Sequence, residues 1–266
     1  MNNLKNEAKQ VILGGLHCLG LNIVRATPQV DVEFALNLLR PYETEFPLKR
    51  FGSYNDGGYL LPLDIDGISH IFSPGVADDW SFEDHLSAET GATVEMIECG
   101  EVPDGISHHV TNGFLGGFSD ENQVGVNDWI GQAGAGDAGE WILSMDIEGA
   151  EFEVLLGLSE ENLRRFRIIT VEFHQLGRLA DANWLRDVYL PTLRKIRKYF
   201  IPVHVHGNNH VPTVRLGRFV IPQLMEVTFL RRDRVASALR FSTLPHAFDQ
   251  RCDMRKPEVS LPILWK

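Results

Sequence analysis

The sequence predicts an α/β domain with a doubly wound, mostly parallel seven-stranded sheet that ends in an antiparallel edge pair. Short runs rich in β-branched and aromatic residues recur at 68–73, 93–99, 109–115, 141–147, 167–173, 200–206 and 225–230. Helix-like segments separate most of these runs, the pattern that places strands in parallel with helices packed on the faces. The last two runs have no long helix between them, so they are expected to pair antiparallel.

Each element follows from local chemistry. The apolar stretch at 11–24 is broken by Gly14, Gly15, His17 and Asn22; it falls short of the roughly 20 apolar residues of a spanning helix. No small-residue cleavage pattern follows it before Arg25, which argues against a signal peptide. Asp31 opens a short amphipathic helix that runs to Arg40, and Pro41 ends it. Segments 79–90 and 150–158 read as helices, as does 183–199 with a break or kink at Pro191. Asp79 or Ser81 is available to cap the first of these. The glycine-rich stretch 131–139 reads as a loop inside the domain. One domain over residues 1–266 is expected, with an N-terminal helical extension of about 1–45.

The 266 residues are 44% hydrophobic, enough for one substantial core, and carry a formal net charge of -11. That charge opposes partners gripped through phosphates, so neither nucleic acid nor an anionic membrane surface is expected. Cys18, Cys99 and Cys252 are widely spaced, with no CxxC pair. They read as reduced thiols of a cytoplasmic protein.

In an open sheet of this kind, ligands bind beyond the carboxyl ends of the strands, so the strand-end residues carry the functional signal. The first strand ends in Ser73-Pro74-Gly75-Val76, followed by Asp78 and Asp79. One glycine flanked by acidic residues suits a cationic sulfonium ligand better than a pyrophosphate, which favours a GxGxxG turn at a helix N-terminus. A ligand-free tight turn has the same sequence. Glu98 ends the second strand about twenty residues on, the position at which an acidic side chain bonds ribose hydroxyls in this architecture. The fourth strand delivers Asp146, Glu148 and Glu151 to a strand-to-helix junction, the fifth Glu172 and His174, and the sixth His204 and His206. Alternation places Glu172 and His174 on one side of the fifth strand. Asp146, Glu172 and His174 are accordingly the candidate ligands of a divalent metal such as Mg²⁺ or Mn²⁺, or of a catalytic zinc if more histidines join. Helix-start carboxylates and loop histidines also occur with no such role.

The run Ser144 to Leu155, with Asp146, Glu148, Gly149 and Glu151 in a D-x-E-G-x-E pattern, followed by Ile169 to His174, resembles the core signature of the FkbM-type methyltransferases. The segments Arg50 to Tyr59 and Val203 to Asn209 resemble one branch of that family, so the likeness extends from about Leu48 to Leu230. The resemblance implies a Rossmann-like class I methyltransferase fold, S-adenosyl-L-methionine as cofactor, and O-methylation of sugar or polyketide hydroxyls. It further implies donor contacts at Ser73, Gly75, Val76 and Glu98, with Asp146 at the border between donor and acceptor. Here the first-strand loop lacks the usual G-x-G, and the glycine turn with Asp56 and Gly57 is expected to cover the missing part.

An unactivated hydroxyl needs a base or a metal to become a nucleophile. His174, His206 and Asp146 are the expected catalytic residues. The acceptor is expected between the 56–59 turn and the 204–209 segment, where His206, Asn208 and Asn209 offer hydrogen bonds to a carbohydrate or glycoconjugate. Two other classes use parts of the same pattern. A metal-dependent hydrolase explains the Asp/Glu/His cluster but not Glu98 and the glycine turn, and a non-catalytic adenosine-binding module explains the turn but not the cluster. Oligomeric state is left open.

Overall fold

The computed structural model describes residues 24–76, 79–100, 102, 105–134, 139–236 and 240–265. The apolar stretch at 11–24 up to residue 23, Cys18, the first 23 residues of the N-terminal extension, and Asp78 lie outside the described residues.

Seven strands form the central sheet: β1 (Ile68–Pro74), β2 (Thr93–Glu98), β3 (His109–Asn112), β4 (Glu140–Met145), β5 (Phe166–Phe173), β6 (Phe200–Asn208) and β7 (Leu224–Arg231). Their spatial order is β6-β7-β5-β4-β1-β2-β3. β1 pairs parallel with β2 and β4, β2 with β3, and β4 with β5. β7 runs antiparallel to both neighbours, β5 and β6. The sheet is thus mostly parallel, and its strand order is that of a Rossmann-like methyltransferase. β6 is an edge strand, which is how it accommodates Pro202 with a register shift before His204.

The helices are α1 (Gln29–Asn37), α2 (Ser81–Thr90), α3 (Val126–Gln132), α4 (Glu151–Gly157), α5 (Glu160–Arg165) and α6 (Leu190–Tyr199). Alternation along the strands divides the core in two. Phe72, Trp141, Leu143, Ile169 and Val171 pack against residues of α1, α3, α4, α5 and α6. Ile71, Ile142 and Ile168 face the other way, onto Phe82 and Leu86 of α2 and onto Phe51, Tyr59 and Leu61. Those last three belong to a hairpin, Leu48–Phe51 with Tyr59–Pro62, so this face is covered by a helix and a hairpin together. Thr228 of β7 donates its hydroxyl to the Leu60 carbonyl at 2.8 Å and docks the hairpin on the sheet.

Three details depart from the sequence expectation. α3 runs through Gly131 to Gln132, and residues 135–138 of the glycine-rich stretch lie outside the described residues. The expected kink at Pro191 is taken up by a π-helical stretch, Leu185–Tyr189, that precedes α6, so that Pro191 falls in the first turn where no N–H is needed. Ser81 does not cap α2 with its side chain; its own N–H donates to Asp79 Oδ1 at 2.9 Å. No helix among the described residues is long and apolar enough to cross a membrane.

Candidate functional site

The backbone laces the end of β1 to the ends of both β2 and β4. Gly75 N–H donates to Ile97 O at 3.0 Å and Asp146 N–H to Pro74 O at 3.3 Å. Gly75 has φ +82°, and a Cβ there would lie 1.6 Å from the Asp146 carbonyl oxygen, so only glycine fits. Beside this junction is a pocket of about 260 Å³ whose lining includes Asp56, Gly57, Ser73, Gly75, Val76 and Asp146. Its wall also holds Tyr59, Asp79, Phe82 and Glu83, and no basic residue is among those that line it. Roomier cavities of about 430 and 550 Å³ lie elsewhere and contain none of the residues singled out from the sequence.

Two lining residues stand out that the strand-end reading passed over. Glu83, in the first turn of α2, is buried; it accepts a hydrogen bond from Ser73, while its Oε2 has no hydrogen-bond partner. Burial pushes its carboxyl above the ordinary value. Tyr59 is buried too, and burial followed by the charges of Asp146 and Glu172 pushes its phenol well up. An acidic residue near the start of the helix read over 79–90, just after a strand end, was the available signal for Glu83. Glu98 does not line the pocket; its Oε1 accepts from the N–H groups of Cys99 and Gly100 at 2.8 and 3.2 Å.

A second set gathers around His174. Its Nδ1 is 2.9 Å from Glu151 Oε1, and its Nε2 is 3.2 Å from Glu148 and 3.8 Å from Asp146. Glu151, fully buried, also accepts from Gly149 N–H at 2.8 Å. The two turns that bring these groups together are strained: Glu148, after β4, and Gln175, after β5, adopt φ of 57° and 58°. Gly149 has φ +115°, and a Cβ there would approach Gln175 Nε2 to 2.7 Å. Burial drives the Asp146 carboxyl up to about 7 against the pull of His174. Burial alone would lower the His174 imidazole, but Glu151, Asp146 and Glu148 hold it above its ordinary value. Buried Asp146 Oδ1 and Glu151 Oε2 have no hydrogen-bond partner. A groove of about 360 Å³ opens beside His174, lined by Phe152, Trp184 and Val188 with Glu153, Gln175 and Arg178.

Of the three residues expected to bind a metal together, Asp146 and His174 share a cluster with Glu151, whereas Glu172 falls in a neighbouring one with Asp56 and Glu226. β5 ends at Phe173, so the strand alternation that relates Glu172 to His174 does not extend to the histidine. Glu172 instead lies opposite Glu226 of β7, which in turn lies opposite His206 of β6. Asn208 Nδ2 donates to Glu172 Oε1 at 3.0 Å. Burial, then the charges of Asp146, Glu226 and Asp56, hold the Glu172 carboxyl well above its usual range.

The 204–209 segment meets the Asp56 turn directly, Asn208 Nδ2 donating to Asp56 Oδ1 at 3.4 Å, and His210 just beyond the segment pairs with Asp56 at 3.2 Å. Its side chains are enclosed, however, by C-terminal residues. His204 pairs with Asp249 at 2.8 Å, and Asn209 donates to the carbonyls of Asp253, Lys256 and Pro257 and accepts from Asp253 N–H. His206 Nδ1 is 3.1 Å from Glu226 Oε2, and Cys252 Sγ donates to Glu226 Oε1 at 3.2 Å. Cys252 and Asp249 reach the sheet from a distant segment, and no local pattern marks either as a partner of these histidines.

Among curated proteins none matches this chain. Residues 140–208, from the first residue of β4 to the last of β6, match the family described as methyltransferase FkbM domain, and this match supports a methyltransferase that uses S-adenosylmethionine.

Proposed function

We propose that the chain is an S-adenosylmethionine-dependent O-methyltransferase in which Asp146 joins the donor pocket to a proton-accepting pair with His174. The observation that carries this reading is the position of Asp146, which lines the pocket and stands 3.8 Å from His174.

The pocket fits such a donor. When bound, S-adenosylmethionine supplies an electrophilic methyl group on a cationic sulfonium. Asp56, Asp79, Glu83 and Asp146 give the pocket a negative lining, and the bare Cα of Gly75 lets a ligand approach the backbone closely. Glu98, at the end of β2, is assigned to the ribose hydroxyls. As the acceptor oxygen takes the methyl group its hydroxyl proton must leave, and Asp146, with its carboxyl near 7, is tuned to receive it at neutral pH. His174 steadies the carboxylate and is itself fixed by Glu151. His206 enters as a positioning residue for Glu226, since both are enclosed beneath the C-terminal residues.

The groove beside His174 combines an aromatic wall with a polar rim, which suits a sugar ring presenting one hydroxyl; a polyketide or lipid-linked hydroxyl is the alternative acceptor. A divalent cation would be held by Asp146, Glu151 and His174, whose unpartnered carboxylate oxygens leave coordination sites free, with Glu172 in the adjoining cluster. The single-domain organisation belongs to the same reading, because the C-terminal residues pack on the strands that build the site.

The test is a panel of glycan and polyketide acceptors with labelled donor, alongside thermal shift with S-adenosylhomocysteine. Asp146→Asn and His174→Gln are expected to lower turnover about 10²- to 10⁴-fold, the range of acid–base contributions, while the parent binds S-adenosylhomocysteine. A parent that ignores S-adenosylhomocysteine and responds only to metal would favour a hydrolase instead.

A further inference from the structure

Behind the methyl-transfer cluster, on the far side of Glu226, lies a set of donor atoms of different chemistry. His206, Glu226 and Cys252 are each more than nine-tenths buried, and one ligand atom from each lies within 4.8 Å of the other two. His206 Nδ1 is 3.1 Å from one oxygen of Glu226, and Cys252 Sγ is 3.2 Å from the other. A tetrahedral zinc ion with N and O at ~2.0–2.1 Å and S at ~2.3 Å spaces its ligand atoms ~3.3–3.7 Å apart. His206 Nδ1 and Cys252 Sγ each stand within a few tenths of an ångström of such a spacing from one or the other oxygen of the Glu226 carboxylate. The other imidazole nitrogen, Nε2, is buried, has no well-formed hydrogen bond and faces the Glu258 carboxylate at 3.4 Å. A carboxylate behind the ring is the arrangement that fixes a metal-ligating histidine.

We propose that His206, Glu226 and Cys252 form a zinc site, separate from the hard-cation cluster of Asp146, Glu151 and His174. A thiolate with an imidazole and one carboxylate selects zinc over magnesium or calcium. With three protein ligands a fourth position stays open to water, as in catalytic zinc sites. The site spans three parts of the chain: His206 comes from β6, Glu226 from β7, and Cys252 from the C-terminal segment that Asn209 and His204 hold in place. The inference does not depend on methyl transfer, since its ligands and its readout lie outside the donor pocket.

The test is titration of the chelator-treated full-length protein with Co²⁺ and Zn²⁺, read by absorption and by metal content after dialysis. One equivalent of Co²⁺ is expected to produce a sulfur-to-cobalt charge-transfer band that Zn²⁺ displaces, a signature that the carboxylate–His174 cluster cannot give. Cys252→Ser is expected to abolish the band and lower zinc affinity about 100-fold or more, and Glu258→Gln to lower it about 10- to 100-fold. Cys99→Ser should leave both unchanged. Should Cys252→Ser fail to fold, His206→Gln serves in its place, and the band must again be lost. Absence of any charge-transfer band in the parent, or a band that survives Cys252→Ser and His206→Gln, would overturn the proposal and leave the three residues as a hydrogen-bonded network only.

Discussion

The α-carbon of Gly75 rests against the carbonyl oxygen of Asp146, so closely that a Cβ on residue 75 would lie 1.6 Å from that oxygen. The loop after β1 and the loop after β4 thus share one wall, which a hydrogen bond from Asp146 N–H to Pro74 O also joins.

Gly75→Ala should disturb both at once. Backbone strain at φ +82° costs about 1–3 kcal/mol before the clash is counted. The urea midpoint is expected to fall, and calorimetry should find S-adenosylhomocysteine affinity lost under conditions where the variant remains folded. An unchanged affinity would place the donor elsewhere.

Asp146 gives a pH dependence of defined sign. Its carboxyl is raised from 3.8 to about 7 by burial, so between those values the folded chain holds a proton that the unfolded chain has released. Stability from this group falls as pH rises through that window. Asp146→Asn, neutral throughout, should therefore raise the melting temperature above pH ~7 and lose the advantage below pH ~4, measured by scanning calorimetry in chelator. A gain that is the same at both ends of the window would contradict the assignment.

Glu98→Ala is expected to weaken donor binding by about 1.5–3 kcal/mol, the worth of a hydrogen bond to a charged group. Calorimetric titration with S-adenosylmethionine checks it. Because Glu98 also holds the N–H groups of Cys99 and Gly100, Glu98→Gln separates the loop from the ligand: it keeps an acceptor for the amides but lacks the charge.

Asn209 is predicted to act on the C-terminal segment. Asn209→Ala leaves three carbonyls and the Asp253 N–H without their partner, a loss of about 1–3 kcal/mol. Trypsin should then cut faster after Arg251 and Arg255, while donor affinity persists. Equal cleavage rates would mean that other contacts tether the segment.

Much of the scaffold was legible because strands and helices announce themselves locally. The runs at 68–73, 93–99, 141–147 and 167–173 are placed as strands from β-branched content and turn residues alone, each close to its observed end, and Gly75 is marked as a turn glycine. What the sequence withheld is set by register and by distant chain. Glu172 and His174 looked like partners by period-two alternation, but the strand stops at Phe173 and the antiparallel insertion of β7 gives Glu172 a different neighbour, Glu226. A glutamate inside an otherwise apolar last strand was the visible clue to that row. Asn208 and Asn209 read as available to a ligand because nothing local indicates that Glu172 takes the Asn208 amide or that residues 253–257 fold back onto Asn209.

The insertion of β7 between β5 and β6 also orders the birth of the protein. While the ribosome has delivered only residues up to Gln223, β5 has one unpaired edge and β6 has no partner in the sheet. Both are long, apolar strands, the kind of exposed edge that invites pairing with another nascent chain. Closure waits for a late, non-local pairing, which loop-closure entropy makes slow. The row Glu172, Glu226 and His206 is completed by that same event, so a chain trapped before it has neither a sealed sheet nor an assembled crevice.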